Sequence, residues 1–111
     1  MSELICLILI ITGLFFFLAT TVGILRFPDF YTRMHAAGKG DTLSSFLILL
    51  GLALRHLAGD LSVDAVLVGL KIMAIMVFIF LASPTATHAI TDAGYAAGLE
   101  PWRQPESRQE E

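Results

Sequence analysis

Twenty-two consecutive residues, Leu4 to Leu25, carry no charge. At about 1.5 Å per residue a helix of that length spans roughly 33 Å, enough to cross a bilayer core of ~30 Å. Inside hydrocarbon every backbone polar group must be satisfied by the chain itself, so the run predicts a transmembrane helix. A cleaved signal peptide fits poorly. The N-terminus MSEL has no Lys or Arg, the run is too long, and no small-residue cleavage site follows. Within the run, Ala19 and Gly23 form a small-xxx-small pair that predicts close approach by another helix.

Two further apolar runs follow. The second begins at Asp41 or Thr42 and ends near Leu57, short for a span unless Arg55 snorkels into the interface. Asp41 is read as its N-cap. Gly40, Ser44, Gly51 and Arg55 fall on one face, predicted to pack against another helix. Ala58 to Val63 reads as a turn carrying Gly59 and Asp60, and Ser62 or Asp64 as the cap of the third run. That run, Asp64 to Ser83, is followed by Pro84 and TATHAITDAGYAAG, so the helix is expected to continue past a proline kink. Only 15% of the 111 residues are charged, against roughly 25% in soluble domains, which agrees with a membrane chain. The net charge of −3 gives no support to nucleic-acid binding. The lone Cys6 has no disulfide partner and no metal-ligand spacing, and is expected to be a small buried apolar residue.

Between the first two runs lies a polar block, LRFPDFYTRMHAAGKGDTLSS, Leu25 to Ser45. Pro28 suits a first helical turn, and Gly38 and Gly40 are stop signals. Phe27, Phe30, Tyr31, Met34 and Gly38 make one apolar stripe, and Asp29 precedes Arg33 by four, the favourable order for a helical ion pair. The expectation is a separate short helix lying in the membrane interface. The fold class is therefore all-α, with three transmembrane helices, a short interfacial helix between the first and second, and a polar, disordered tail. Residues 1–98 form the membrane domain. Residues 99–111 form the tail, with disorder expected beyond Trp102. Arg26, Arg33, Lys39, Arg103 and Arg108 fall on one side of such a topology and only Arg55 on the other. The positive-inside rule then puts the N-terminus outside and the block and tail in the cytoplasm.

The block LRFPDFYTRMHAAGKGDTLS and the later SPTATHAI, Ser83 to Ile90, resemble the G subunit of Mrp-type (Mnh, Pha) multisubunit cation/proton antiporters. The likeness covers roughly residues 12 to 98. Similar small subunits occur in the membrane arms of some energy-converting hydrogenases. The resemblance implies an inner-membrane subunit that works with other antiporter subunits in the lipid bilayer, in a complex exchanging Na+ or K+ for H+.

Candidate functional residues come from charge placement. Lys71 is the one charge well inside an expected span, and such charges face protein or water and mark functional sites by default. Asp64 lies seven residues earlier on the same face. His35 and His88 are proton-shuttle candidates near neutral pH. Arg26, Pro28, Asp29, Arg33, Lys39 and Asp41 form the interfacial motif, lining an ion entrance or docking a partner. No G-x-S-x-G, HExxH, P-loop or Cys/His cluster occurs, so neither an enzyme nor a cofactor or metal site is expected. Two rival readings are a self-assembling pore of the holin type and a non-transporting assembly subunit.

Overall fold

A computed structural model describes residues 1–59 and 61–103. It contains three long helices: α1, Ser2–Arg26; α2, Phe30–Gly59; and α3, Val63–Ala96. All three are long and apolar enough to cross a membrane. α1 and α3 each pack on α2, and their backbones do not meet one another.

The expected interfacial helix is not a separate element. The polar block forms the first turns of α2, which runs unbroken through Gly38, Gly40 and Asp41. Each glycine in a helix interior costs up to ~1 kcal/mol relative to alanine, yet a break here would orphan backbone groups near lipid. Two serine/threonine hydroxyls add a second hydrogen bond to the glycine carbonyls. Thr42 Oγ1 donates to the Gly38 carbonyl at 2.8 Å and Ser44 Oγ to the Gly40 carbonyl at 2.6 Å. The glycines serve packing rather than termination. A Cβ on Gly40 would collide with the Thr20 side chain of α1, and one on Gly38 would sit 2.9 Å from Thr87 Oγ1 of α3. At 30 residues α2 is about 45 Å long, so its polar N-terminal turns reach beyond the ~30 Å core.

The α1–α2 seam follows the predicted face of α2. Ser44 is fully buried, Gly51 lies against Ile10 and the Cys6 carbonyl, and Arg55 meets Glu3 at 3.3 Å. On α1 the contact residues are Cys6, Gly13 and Thr20, spaced by seven, and Cys6 is buried as expected. The Ala19–Gly23 pair does not make this seam. Ala19 is exposed, and Gly23 faces the Phe27 ring that follows its own helix. Arg55 and Glu3 are mostly exposed, so the pair contributes about 1 kcal/mol or less. Arg55→Ala should leave thermal stability in detergent nearly unchanged, which differential scanning fluorimetry would check.

α3 starts at the predicted cap: Ser62 Oγ accepts the Ala65 N–H at 3.3 Å. Asp60 lies outside the described residues. The helix continues through Pro84, as expected, and ends at Ala96; two residues on, Gly98, with a φ of +79°, turns the chain back. The turn puts Leu99 and Trp102 against the α1–α2 connection. Tyr31 Oη donates to the Leu99 carbonyl at 2.6 Å, and the Trp102 N–H donates to Asp29 Oδ2 at 3.3 Å. The α1–α2 connection and the end of α3 thus share one end of the molecule. The tail expected to be disordered falls, Arg103 apart, outside the described residues.

Candidate functional site

Asp29 and Arg33 do not form the expected i,i+4 ion pair. Asp29 precedes the helix and caps it: its Oδ1 accepts the Thr32 N–H at 3.2 Å as well as the Thr32 hydroxyl. Arg33 Nε instead donates to the Phe27 carbonyl at 2.9 Å, closing the connection around Pro28. A carboxylate used as a cap is turned toward backbone N–H groups and away from the helix surface, where a pair with Arg33 would form. Pro28 precedes α2 and is not in its first turn. Arg26 is the last residue of α1 and marks the end of the charge-free run.

These hydrogen bonds, that from the Thr32 hydroxyl foremost, hold the Asp29 carboxyl below its ordinary value of 3.8. A lowered folded-state value stabilises the fold above the unfolded value, and that contribution is lost as pH falls through the folded one. The clasp between Asp29 and Trp102 should therefore hold at all pH above about 3.8 and open only below it. Asp29→Ala should open it at neutral pH, read as faster hydrogen exchange at the Trp102 amide.

The expected histidines come together. His35 and His88 line one groove of about 390 Å³ between α2 and α3, with Tyr31, Lys39 and Asp92. His88 Nδ1 lies 3.1 Å from Asp92 Oδ2, one turn along α3, and both side chains are largely exposed. The four-residue spacing of His88 and Asp92 was a signal in the sequence for that pair, whereas nothing in the spacing could bring His35 to this groove, because it comes from a different helix.

Lys71 is exposed on α3, and among the described residues no acid pairs with it. Asp64 does not join it. It lines a groove of about 580 Å³ with Arg55, His56 and Ser62 near the α2–α3 turn. Shared helix face did not become contact, since two turns, roughly 10 Å, separate them.

Asp41, expected at a helix start, is the site residue whose place changes most. Its Oδ2 accepts a hydrogen bond from Ser83 Oγ of α3 at 3.1 Å, and its Oδ1 a long one from Ser45 Oγ at 3.5 Å. It lines a cleft of about 430 Å³ bounded by all three helices, with Thr20 and Thr21 of α1 and Ser83 and Thr87 of α3. Its neighbour Gly40 faces Thr20, five residues inside the end of the charge-free run. Among the described residues no group of three or more His, Cys, Asp or Glu is placed to hold a metal ion.

Sequence and fold agree in what they resemble. UPF0091 protein PH1455 of Pyrococcus horikoshii is 33% identical over 94 residues, covering 85% of this chain and 76% of that protein. The putative antiporter subunit mnhG2 of Staphylococcus aureus (strain MRSA252) is 32% identical over 102 residues, covering 92% and 67%. Among solved structures, a chain of the membrane-bound sulfane sulfur reductase, an archaeal respiratory membrane complex, superposes with a TM-score of 0.81 at 32% identity, covering 96% of this chain and 92% of that one. A chain of the Mrp complex from Dietzia sp. DQ12-45-1b superposes with a TM-score of 0.80 at 25% identity, covering 99% and 93%. Residues 9–95 match the family described as PhaG_MnhG_YufB, Na+/H+ antiporter subunit, and with three spanning helices of the same arrangement the chain belongs to that family.

Proposed function

We propose that this chain is a small membrane subunit of a multisubunit monovalent cation/proton antiporter and has no transport activity alone. The observation that carries this is the surface of α3. Leu70, Phe78, Phe80 and Leu81 are each more than 60% exposed, and Lys71 is exposed among them. Lipid can cover the apolar side chains, but it does not cover an ammonium well inside the span. A neighbouring subunit with a carboxylate at that depth does both. Three helices, two of whose backbones do not meet, also cannot enclose a hydrated path.

In this reading Na+ is the cation exchanged for H+, with K+ as the alternative, and the complex sits in the cell membrane. The N-terminus lies outside, and the polar block and C-terminus lie in the cytoplasm. The positive-inside count supports that orientation, and the packing of the α1–α2 connection against the end of α3 supports one side for the block and the C-terminus. The His35–His88 groove, with Lys39 beside it, then opens at the cytoplasmic boundary, where a proton acceptor near neutral pH is of use to an exchanger. The likeness to a respiratory complex favours a second reading, a membrane-arm subunit of a redox complex.

The test is isolation of the tagged chain from native membranes in mild detergent. Co-purification of larger multi-span proteins at fixed ratio, with Na+-dependent proton exchange after reconstitution, is the expected result. Redox-cofactor proteins in the same particle would favour the second reading. A ladder of this chain alone would overturn both in favour of a self-assembling pore.

A further inference from the structure

Two grooves between α2 and α3 meet at Lys39. The groove that holds His35 and His88 is also lined by Gly38, Lys39 and Pro84. A second groove, of about 490 Å³, starts from the same three residues and continues past Leu43 and Phe46 of α2 and Phe80 of α3. The two differ in chemistry. The first carries His35, Lys39, His88 and Asp92. Beyond Lys39 at its mouth, the second has one hydroxyl, that of Thr42, and it already donates to the Gly38 carbonyl. Along α2 the polar part lies toward the helix start and the apolar part toward its middle. α3 runs the opposite way and repeats the division, with His88 and Asp92 on the polar side of Pro84 and Phe80 on the apolar side. The result is one trough with a polar head and an apolar body, matching the change from interface to hydrocarbon across a bilayer boundary. Leu43, Phe46 and Phe80 are each more than 40% exposed, so the chain itself does not fill the apolar body.

Most donors in the polar head are already used. Tyr31 Oη donates to the Leu99 carbonyl, Thr87 Oγ1 to the Ser83 carbonyl at 2.9 Å and Thr91 Oγ1 to the Thr87 carbonyl at 2.7 Å. His88 is held against Asp92, which takes up the acid on the α3 wall. The Lys39 ammonium and an imidazole N–H of His35 remain, one turn apart on α2 and both exposed. Among the described residues neither has an acidic partner. A lysine ammonium beside a second N–H donor is suited to a phosphate oxygen. An apolar groove that begins at the same lysine is suited to an acyl chain. A zwitterionic headgroup brings its own ammonium to neutralise its phosphate, so a headgroup of net negative charge gains more from Lys39.

We propose that this trough holds an anionic phospholipid, its phosphate on Lys39 and His35 and one acyl chain along Leu43, Phe46 and Phe80. The lysine stem lies at the junction, where its methylenes meet the chain and its ammonium meets the head. The site needs the helices to cross a bilayer and is independent of what the complex transports.

The intact complex, reconstituted in vesicles, is the material for the test. The probe is phosphatidylglycerol with a photoreactive diazirine in its acyl chain, and phosphatidylcholine with the same chain is the control. After illumination, phosphatidylglycerol should label the peptides carrying Leu43, Phe46 and Phe80 about fivefold more than the control does, the weight of one lysine near an anionic headgroup. Lys39→Gln should bring that labelling down to the control level. Equal labelling by the two lipids in the unaltered complex overturns the proposal, and that comparison decides where Lys39→Gln fails to assemble. Full phosphatidylglycerol labelling in Lys39→Gln also overturns it. So does the absence of label from these peptides, which would mean that a neighbouring subunit fills the trough.

Discussion

Leucine at Gly13 separates α1 from α2 and removes the chain from the membrane complex. A Cβ at this position already lies 2.9 Å from the Ser44 carbonyl oxygen and 3.1 Å from the Ile48 backbone N, besides 2.7 Å from Ile48 Cγ1. The last contact is with a side chain that can rotate away. The first two are backbone atoms of α2, which move only if the whole helix moves. Overpacking by one or two methylenes in a close seam costs typically 1–3 kcal/mol, and a leucine adds more than that. The contacts here are van der Waals and close-range, because lipid supplies no hydrophobic force to hold helices together. No reserve exists to absorb the loss. Gly13→Ala should lower the midpoint of thermal unfolding in detergent, and Gly13→Leu should abolish co-purification with partner proteins. Gly40→Ala is the informative contrast. Its three nearest contacts are all atoms of the Thr20 side chain, Cβ among them at 2.7 Å, so the paired change Gly40→Ala, Thr20→Gly should recover most of the stability. A double variant no better than the single one would show that the backbones, not the side chains, set the spacing.

Removing the charge at Lys71 is expected to have the second large effect. If a partner's carboxylate meets this ammonium inside the membrane, Lys71→Ala leaves that acid buried and uncompensated, which typically costs 3–5 kcal/mol. The yield of intact complex should fall by more than tenfold on that figure. Lys71→Met keeps most of the stem and removes only the charge, so a similar loss from both variants assigns the effect to charge rather than packing. Lys71→Arg should retain most assembly. Normal yield together with normal exchange in Lys71→Ala would show that the lysine snorkels to the outer surface and has no partner.

Much of the architecture was legible in the residues. Three apolar runs of spanning length became α1, α2 and α3, and the face of Gly40, Ser44, Gly51 and Arg55 became the seam with α1. Ser62 capped α3, and the helix continued through Pro84. The family resemblance seen in the polar block and in Ser83 to Ile90 agrees with the match over residues 9–95. These readings rest on local physics: length against bilayer thickness, hydroxyl spacing at a helix start, and small residues at a fixed period.

What failed was every inference that needed to know what lay across a seam. Gly38 and Gly40 look like stops when only the chain before and after them is considered. Thr20 and Thr87, which are far away in sequence, make them contact points and let α2 run on. Once the helix is continuous, Asp41 can no longer be its cap and instead accepts a hydrogen bond from Ser83 of α3. Likewise Asp29 takes the cap of α2 and the Trp102 amide, and so is lost to Arg33. The sequence by itself determined that this chain crosses a membrane three times, which runs do so, and the family it belongs to, because the bilayer reads only length, charge and backbone satisfaction. Only the tertiary structure decided that an acid and four hydroxyls from three helices meet in one cleft. Helix–helix contact in lipid depends on the fit of small side chains at close range, and that fit is a property of pairs of surfaces rather than of any one stretch of chain.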